Sequence, residues 1–252
     1  MSYPRPLSPC PDLARRQAQL SERMEQAQGP ETVYRRTLRR FALINRLFSR
    51  YRILLKRWVI SEMKRQPDRD YTLVDMGAGG CDIDRWLAQR ASRAGLRLRI
   101  VAVDHDPRAL DFCRSNTQDL PDIQVRQEDA LDVTEREAAD FVFANHLLHH
   151  MTDDEVVRLL QNLDRMPLIR YVLSDLRRSC FAWRGFRLTA WPFGAGSYIV
   201  EDGLASIRRA FSINELRGLI ARARLRRPIE VRAMFPSRLV VVGGRFLTDR
   251  TD

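Results

Sequence analysis

The chain has 252 residues, of which 44% are hydrophobic, so it can bury one substantial core and one main domain is expected. Its four cysteines are far apart, with no CxxC pair or Cys/His cluster at zinc spacing, which predicts a reduced, cytosolic protein without a structural metal. The net charge of +11 predicts anionic partners such as RNA, acidic lipid or acidic substrates, and no apolar run is long enough to span a bilayer.

The first 66 residues are expected to lie outside the main domain. Residues 1–30 are polar and contain prolines, which predicts a flexible or loosely docked arm. Two basic, amphipathic helices are predicted over residues 31–66, and we expect them to form a lid. Their arginine face is either the solvated side of helices packed on their own domain or a surface that binds nucleic acid or an anionic membrane, which would place the protein at the inner membrane surface.

Residues 67–245 alternate short apolar segments with helix-length segments, which predicts βαβ units and a mainly parallel sheet. Capping boxes predict helix starts at Thr152 and Ser212. Only Pro236 and Ser237 separate the last two strands, so these strands must pair antiparallel. The expected fold class is α/β: a doubly wound, seven-stranded sheet ending in an antiparallel hairpin, with an insertion at about 177–210 covering the site.

The strongest site signal is the segment LVDMGAGGCDID, residues 73–84. Gly77 and Gly79 allow a tight turn after the first strand, where a ligand can lie against backbone amides. A dinucleotide fingerprint would need a third glycine where this chain has Asp82, and that carboxylate would repel a pyrophosphate. Asp75 suits an ammonium group, so the segment predicts a cationic ligand without phosphate.

This segment resembles the first motif of the class I S-adenosylmethionine-dependent methyltransferases, an acidic residue, one residue, then GxGxG. Asp75, Gly77 and Gly79 match it, whereas Cys81 stands where the last glycine is usual. The resemblance implies the Rossmann-like methyltransferase fold, with S-adenosylmethionine as cofactor. Asp104, which ends the second strand, is expected to accept the ribose hydroxyls. The cofactor-binding residues implied in this way are Asp75, Gly77, Ala78, Gly79, Asp104, His105, Asp129, Ala130 and Asn145.

Three of the four histidines lie in the loop after the fourth strand, NHLLHHM. His149 or His150 is a candidate general base of near-neutral pKa, able to take a proton from a phenol or hydroxyl. The alternative is that both imidazoles are structural. No metal is expected there, because no acid lies at ligand spacing on the same loop.

The segments DLRRS and SIRRAF resemble a bacterial subgroup of small-molecule methyltransferases that act on quinones or polyketides. Together with the aromatic residues of the insertion, this implies a small aromatic, quinone-like or polyketide-like acceptor and a role in secondary metabolism. RNA methylation is an alternative, although the fourth strand lacks the (N/D)PP(Y/F) motif of base-amine methylases. A second alternative is a noncatalytic cofactor-binding protein that acts through its basic helices. The sequence leaves the oligomeric state open.

Overall fold

The computed structural model describes residues 10–26, 29–133 and 138–245, and it contains one seven-stranded sheet. The strands are β1 (Asp70–Met76), β2 (Arg97–Asp104), β3 (Ile123–Gln127), β4 (Phe141–Asn145), β5 (Arg170–Leu176), β6 (Glu230–Met234) and β7 (Arg238–Gly243). Their order across the sheet is β3-β2-β1-β4-β5-β7-β6. Strands β1 to β5 run parallel, whereas β7 pairs antiparallel with both β5 and β6. The predicted mainly parallel sheet with a closing antiparallel hairpin is therefore confirmed.

Helices cover both faces of the sheet and connect three pairs of successive parallel strands, β1 to β2, β2 to β3 and β4 to β5. They are α1 (Glu31–Ile44), α2 (Tyr51–Leu55), α3 (Ser61–Met63), α4 (Asp82–Ser92), α5 (Pro107–Thr117), α6 (Asp153–Arg165), α7 (Cys180–Ala190), α8 (Ile199–Arg209) and α9 (Ile213–Ala223). The helix starts predicted at Thr152 and Ser212 are confirmed, because each side chain accepts a hydrogen bond from the backbone N–H three residues on. Within the described ranges, no helix is long and apolar enough to cross a membrane.

The two faces of the sheet are packed by different helices, because successive strand side chains point in opposite directions. Leu73 of β1 belongs to the core that includes α4, whereas Val74 belongs to the core that includes α6 and α9. The second half of the predicted lid lies in the first of these cores. Its buried residues are Tyr51, Leu54, Leu55, Trp58, Val59, Ile60 and Met63. This half therefore forms a covering layer of the sheet, and a π-helical turn at Asn45–Ser49 joins it to α1.

Helix α1 packs on the segment that follows β5. Ile44 shares an apolar cluster with Trp183 of α7 and Ile199 of α8. Arg40 of α1 donates hydrogen bonds to backbone carbonyls in the connection between α7 and α8, including that of Phe193 at 2.6 Å. The predicted insertion is therefore largely helical, and it is fastened to α1 by apolar packing and by arginine hydrogen bonds.

All four cysteines are paired in disulfides, Cys10 with Cys180 and Cys81 with Cys113. The prediction of reduced cysteines is therefore wrong. The paired residues are 170 and 32 positions apart in sequence, and only the folded topology brings them together. Cys10 links the N-terminal arm to the first residue of α7, and Cys81 links the glycine-rich turn to α5.

Candidate functional site

The predicted cofactor residues meet at one edge of the sheet. Asp75 is the penultimate residue of β1, whereas Asp104 and Asn145 are the last residues of β2 and β4. Because these strands are parallel neighbours, their carboxyl ends lie side by side, which is where ligands bind in open α/β sheets. His105 directly follows β2, and Asp129 lies two residues beyond the end of β3.

The glycine-rich turn is held against the end of β2. Gly77 and Gly79 have φ angles of 74° and 53°, in the left-handed region that glycine adopts without strain. The N–H of Gly79 donates to Oδ2 of Asp104 at 2.9 Å, and the N–H of Asp106 donates to Oδ1 of the same carboxylate at 2.9 Å. Each of these oxygens keeps a second lone pair, so Asp104 can hold the turn and still accept ribose hydroxyls.

Cys81 explains how the turn works without its usual last glycine. Its φ is 55°, so it adopts the left-handed conformation although it carries a side chain. That side chain is fully buried and bonded to Cys113. The departure from the family motif therefore keeps the backbone path of a glycine and adds a covalent link to α5.

Two buried carboxyl groups lie beneath the turn. Asp75 and Asp84 are 3% and 1% exposed and share a hydrogen bond. Burial and the neighbouring charge of Asp84 hold the pKa of Asp75 well above its ordinary value, and burial raises the pKa of Asp84 to about 7. Oδ1 of Asp75 and Oδ2 of Asp84 have no hydrogen-bond partner among the described residues. An ammonium group would supply the missing donors, so these residues fit the amino end of the implied cofactor.

The adenine side of the predicted site is more open. The His105 side chain is 83% exposed, and Asp129 is also exposed. Oδ1 of Asp129 accepts the N–H of Leu131 at 2.8 Å, which fixes the turn that contains Ala130. The structure thus brings these residues to the same edge of the sheet as Asp75 and Asp104 but leaves the side chains of His105 and Asp129 facing solvent.

A chain of four polar side chains joins α1, the strand ends and the closing hairpin, and sequence reasoning identified only one of them as a site residue. Arg238 of β7 donates to Oδ1 of Asn145 at 2.5 Å, and Nδ2 of Asn145 donates to Oδ1 of Asn45 at 3.2 Å. Nδ2 of Asn45 in turn donates to Asp82 at 3.2 Å. The sequence feature that could have revealed this chain of contacts is Asn45, because its amide lies within the apolar stripe of the predicted lid and is buried. Through this chain, the start of the π-helical turn is fixed directly over the cofactor edge.

His149 is a buried cation between two carboxylates. Its Nδ1 lies 2.8 Å from Oδ1 of Asp175, and its Nε2 lies 3.4 Å from Oε1 of Glu22. Burial alone would lower the pKa of His149, but the two carboxylates outweigh burial and raise the pKa to about 9. As placed here, the ring is protonated at neutral pH, and both of its nitrogens face acids.

The two other histidines of the loop remain neutral. Burial and the charge of His149 lower the pKa of His150, whose Nδ1 lies 2.7 Å from Glu25. Burial and the charge of Arg238 hold the pKa of His146 well below its ordinary value. At pH 7 the loop therefore presents one imidazolium and two neutral imidazoles, and of the two candidate bases only His150 is in the form that accepts a proton.

The described part of the arm supplies two of the acids beside these histidines, Glu22 and Glu25. Glu22 is 6% exposed and receives a hydrogen bond of 2.6 Å from Ser206 of α8. Asp202, also on α8, accepts the backbone N–H groups of Arg23 and Met24. Arg16 donates to the backbone carbonyls of His149, Met151 and Arg209. Sequence reasoning missed Glu22 because it lies far from the histidine loop in the chain and no local motif surrounds it.

These contacts also bring acids to metal-ligand spacing, although the loop itself has none. Ligand atoms of Glu22, His149 and His150 lie within 4.8 Å of one another, as do those of His146, His149 and Asp175. The ion pairs described above account for both groupings, since each nitrogen of His149 already faces a carboxylate.

Residues 73–167, which run from within β1 to just beyond α6, match the protein family described as methyltransferase domain. The plantazolicin methyltransferase BamL, solved with a triazolic desmethylPZN analog and SAH, aligns with a TM-score of 0.60 at 10% identity over 84% of this chain and 94% of its own. The CurJ carbon methyltransferase aligns with a TM-score of 0.53 at 13% identity over 73% of this chain and 51% of its own. A protein from Bordetella parapertussis, described as a possible exported protein, has a TM-score of 0.53 at 15% identity over 73% of this chain and 64% of its own.

The chain thus spans less than two thirds of CurJ and of the Bordetella protein. No curated protein sequence matches it. At these identities, the structural similarities establish the Rossmann-like methyltransferase fold.

Proposed function

We propose that this protein uses S-adenosylmethionine to methylate a small aromatic, quinone-like or polyketide-like molecule. Residues 73–167 match a methyltransferase domain family, and BamL, which shares the fold, was solved with SAH. The bound cofactor supplies an electrophilic methyl group on a sulfonium. The residues described above bind and orient it. Asp75 and Asp84 would hold the amino end, Asp104 would accept the ribose hydroxyls, and Gly77 and Gly79 would let the ligand lie against the backbone.

The single observation that carries this proposal is the buried carboxyl pair beside the glycine-rich turn. Two buried carboxyl groups whose oxygens lack hydrogen-bond donors lower the stability of the folded protein, unless a bound cation supplies those donors. A phosphate-bearing dinucleotide would add negative charge at this position, whereas an amino acid ammonium would satisfy it. Binding by His105, Asp129, Ala130, Ala78 and Asn145 belongs to the same proposal, because they lie around this pair and Asp104.

We place the acceptor beside α7 and α8, because α8 contacts the histidine loop and α7 packs against α8. Trp183, Phe186 and Phe193 contribute to the apolar cluster under α1, and this composition favours an apolar or aromatic acceptor. CurJ and BamL, which share the fold, are by name a carbon methyltransferase and a methyltransferase of plantazolicin. A cytoplasmic location and a role in secondary metabolism stay predictions.

We infer that His150 is the general base that accepts the proton of a hydroxyl acceptor. The neutral imidazole of His150 would take the proton that the hydroxyl acceptor loses when it is methylated. His149 stays protonated between Asp175 and Glu22 and positions the loop. Alignment of the reactants and exclusion of water supply the remaining rate enhancement.

The test is cofactor binding followed by methyl transfer with the full chain. Calorimetry should show S-adenosylmethionine binding, and label from its methyl group should pass to simple phenols or hydroquinones and not to RNA. Asp104→Ala should weaken binding, whereas Asp111→Ala, the same change at an exposed position on α5, should not. If the full chain binds no S-adenosylmethionine, the proposal is overturned. If the methyl label passes only to RNA, the acceptor is RNA and not a small molecule.

A further inference from the structure

Helix α7 carries an apolar stripe on its outer face. Phe181, Leu188 and Trp191 are 61%, 73% and 64% exposed. They are spaced by seven and three residues, so they lie on one side of the helix and of the turn that extends it. Trp183 and Ala190, on the opposite side of the helix, are buried in the cluster shared with α1. The outer stripe is therefore separate from the apolar face that the fold uses.

A further exposed aromatic residue, from outside α7, lies against this stripe. Phe235, in the turn between β6 and β7, is 69% exposed, and its ring centroid lies 6.3 Å from that of Phe181. Arg50, at the junction of the π-helical turn and α2, donates from Nε to the carbonyl of Phe235 at 3.2 Å. The apolar surface thus extends from α7 across the hairpin turn to the basic helices.

The segments that form this surface carry positive charge without acids. Residues 177–200 contain no Asp or Glu. Of their four arginines, Arg178 and Arg187 are buried, whereas Arg177 is exposed and Arg184 is exposed within the stripe itself. Residues 32–61 contain nine basic residues and again no Asp or Glu. Two copies of this chain joined through this face would bring arginines against arginines, which disfavours self-association.

We propose that this face docks on an anionic lipid bilayer, with Phe181, Leu188, Trp191 and Phe235 entering the interfacial region. Tryptophan and arginine suit that region, because each combines an apolar body with a polar end that stays at the headgroups. The basic residues around the stripe add attraction to anionic headgroups, which falls with salt. The proposal does not depend on methyl transfer.

Sedimentation of the full chain with lipid vesicles tests the surface. Vesicles of phosphatidylcholine with about one third phosphatidylglycerol should bind the protein, and pure phosphatidylcholine should bind it at least about tenfold more weakly. Leu188→Gln should lower the partition coefficient about tenfold, because it removes an aliphatic group that would enter the bilayer. Arg184→Glu should also lower it about tenfold or more, whereas Arg217→Glu, the same charge change on α9, should have a much smaller effect.

Tryptophan fluorescence gives a second readout. Of the four tryptophans, Trp58 and Trp183 are buried, Trp86 is partly buried against the core and Trp191 is exposed, so binding should shift emission to shorter wavelength mainly through Trp191. Trp191→Phe should keep binding and lose most of the shift. Equal binding to neutral vesicles, binding unaffected by Leu188→Gln and Arg184→Glu, or a dimer in solution that Leu188→Gln dissociates would each overturn the proposal.

Discussion

The buried ion pairs of His149 should make the free energy of unfolding depend on pH in a defined direction. The pKa of His149 is about 9 in the folded protein and near 6.5 when the chain is unfolded. Because the folded pKa is the higher one, the stabilisation is fully present below about pH 6.5 and is lost as the pH rises through about 9. A shift of this size corresponds to about 3 kcal/mol.

The measurement is urea unfolding at about pH 6 and about pH 10, comparing the wild-type protein with His149→Gln. Asp84 and Asp202 also have raised pKa values, near 7, so they contribute to the pH dependence of both proteins. The difference in free energy of unfolding between wild type and His149→Gln isolates the contribution of His149. This difference should be smaller at the higher pH by about 3 kcal/mol. His105→Gln, at an exposed histidine, is the matched control and should leave the pH dependence unchanged.

Two results would refute this reasoning. A wild-type advantage over His149→Gln that is the same at both pH values would mean that the imidazole is not held protonated by Asp175 and Glu22. An NMR titration in which His149 loses its proton below about pH 7 would mean the same, independently of folding.

Asp104→Ala should weaken S-adenosylmethionine binding by about 1.5 to 3 kcal/mol, and an unchanged dissociation constant in calorimetry would remove Asp104 from the site. His150→Gln should lower turnover by about 10²- to 10⁴-fold with cofactor affinity intact, and normal turnover would exclude it as the base. Cofactor binding near pH 7 should release a proton, because the cationic amino group lowers the pKa of the buried Asp75–Asp84 pair. Calorimetry in buffers of different ionisation enthalpy measures the number of protons released. The Asp84→Asn variant should release none. Deleting residues 1–26 should abolish turnover while circular dichroism shows a folded domain, and retained activity would show that the arm does not complete the site.

The sheet was predictable because its signals are local. Apolar segments alternating with helix-length connections predict parallel pairing, and the two residues between the last strands leave antiparallel pairing as the only choice. The side chains of Thr152 and Ser212 predict helix starts because the cap and its partner lie three residues apart. The positions of Asp75 and Asp104 at one edge of the sheet were predictable for a similar reason, since each lies at the end of an apolar strand.

The surroundings of the histidine loop were not predictable, because they depend on contacts between distant parts of the chain. Glu22 reaches His149 only after the arm has crossed α8, and Asp175 reaches the same ring from the end of β5. A histidine of ordinary pKa and a buried imidazolium have the same local sequence. The disulfides follow the same rule, since Cys10 and Cys180 meet only when the arm has docked.

The polar chain from β7 to the glycine-rich turn has a direction. Arg238 can only donate hydrogen bonds, and the ionised carboxylate of Asp82 can only accept them, so both amides between them have a fixed orientation. Replacing one member alone, for example Asn45 by Asp, would place acceptor against acceptor and leave a buried group unsatisfied. A substitution at one of these residues should therefore be accompanied by a compensating substitution at its hydrogen-bond partner. Among relatives that keep the π-helical turn over the cofactor edge, Asn45, Asn145 and Arg238 should covary as a set.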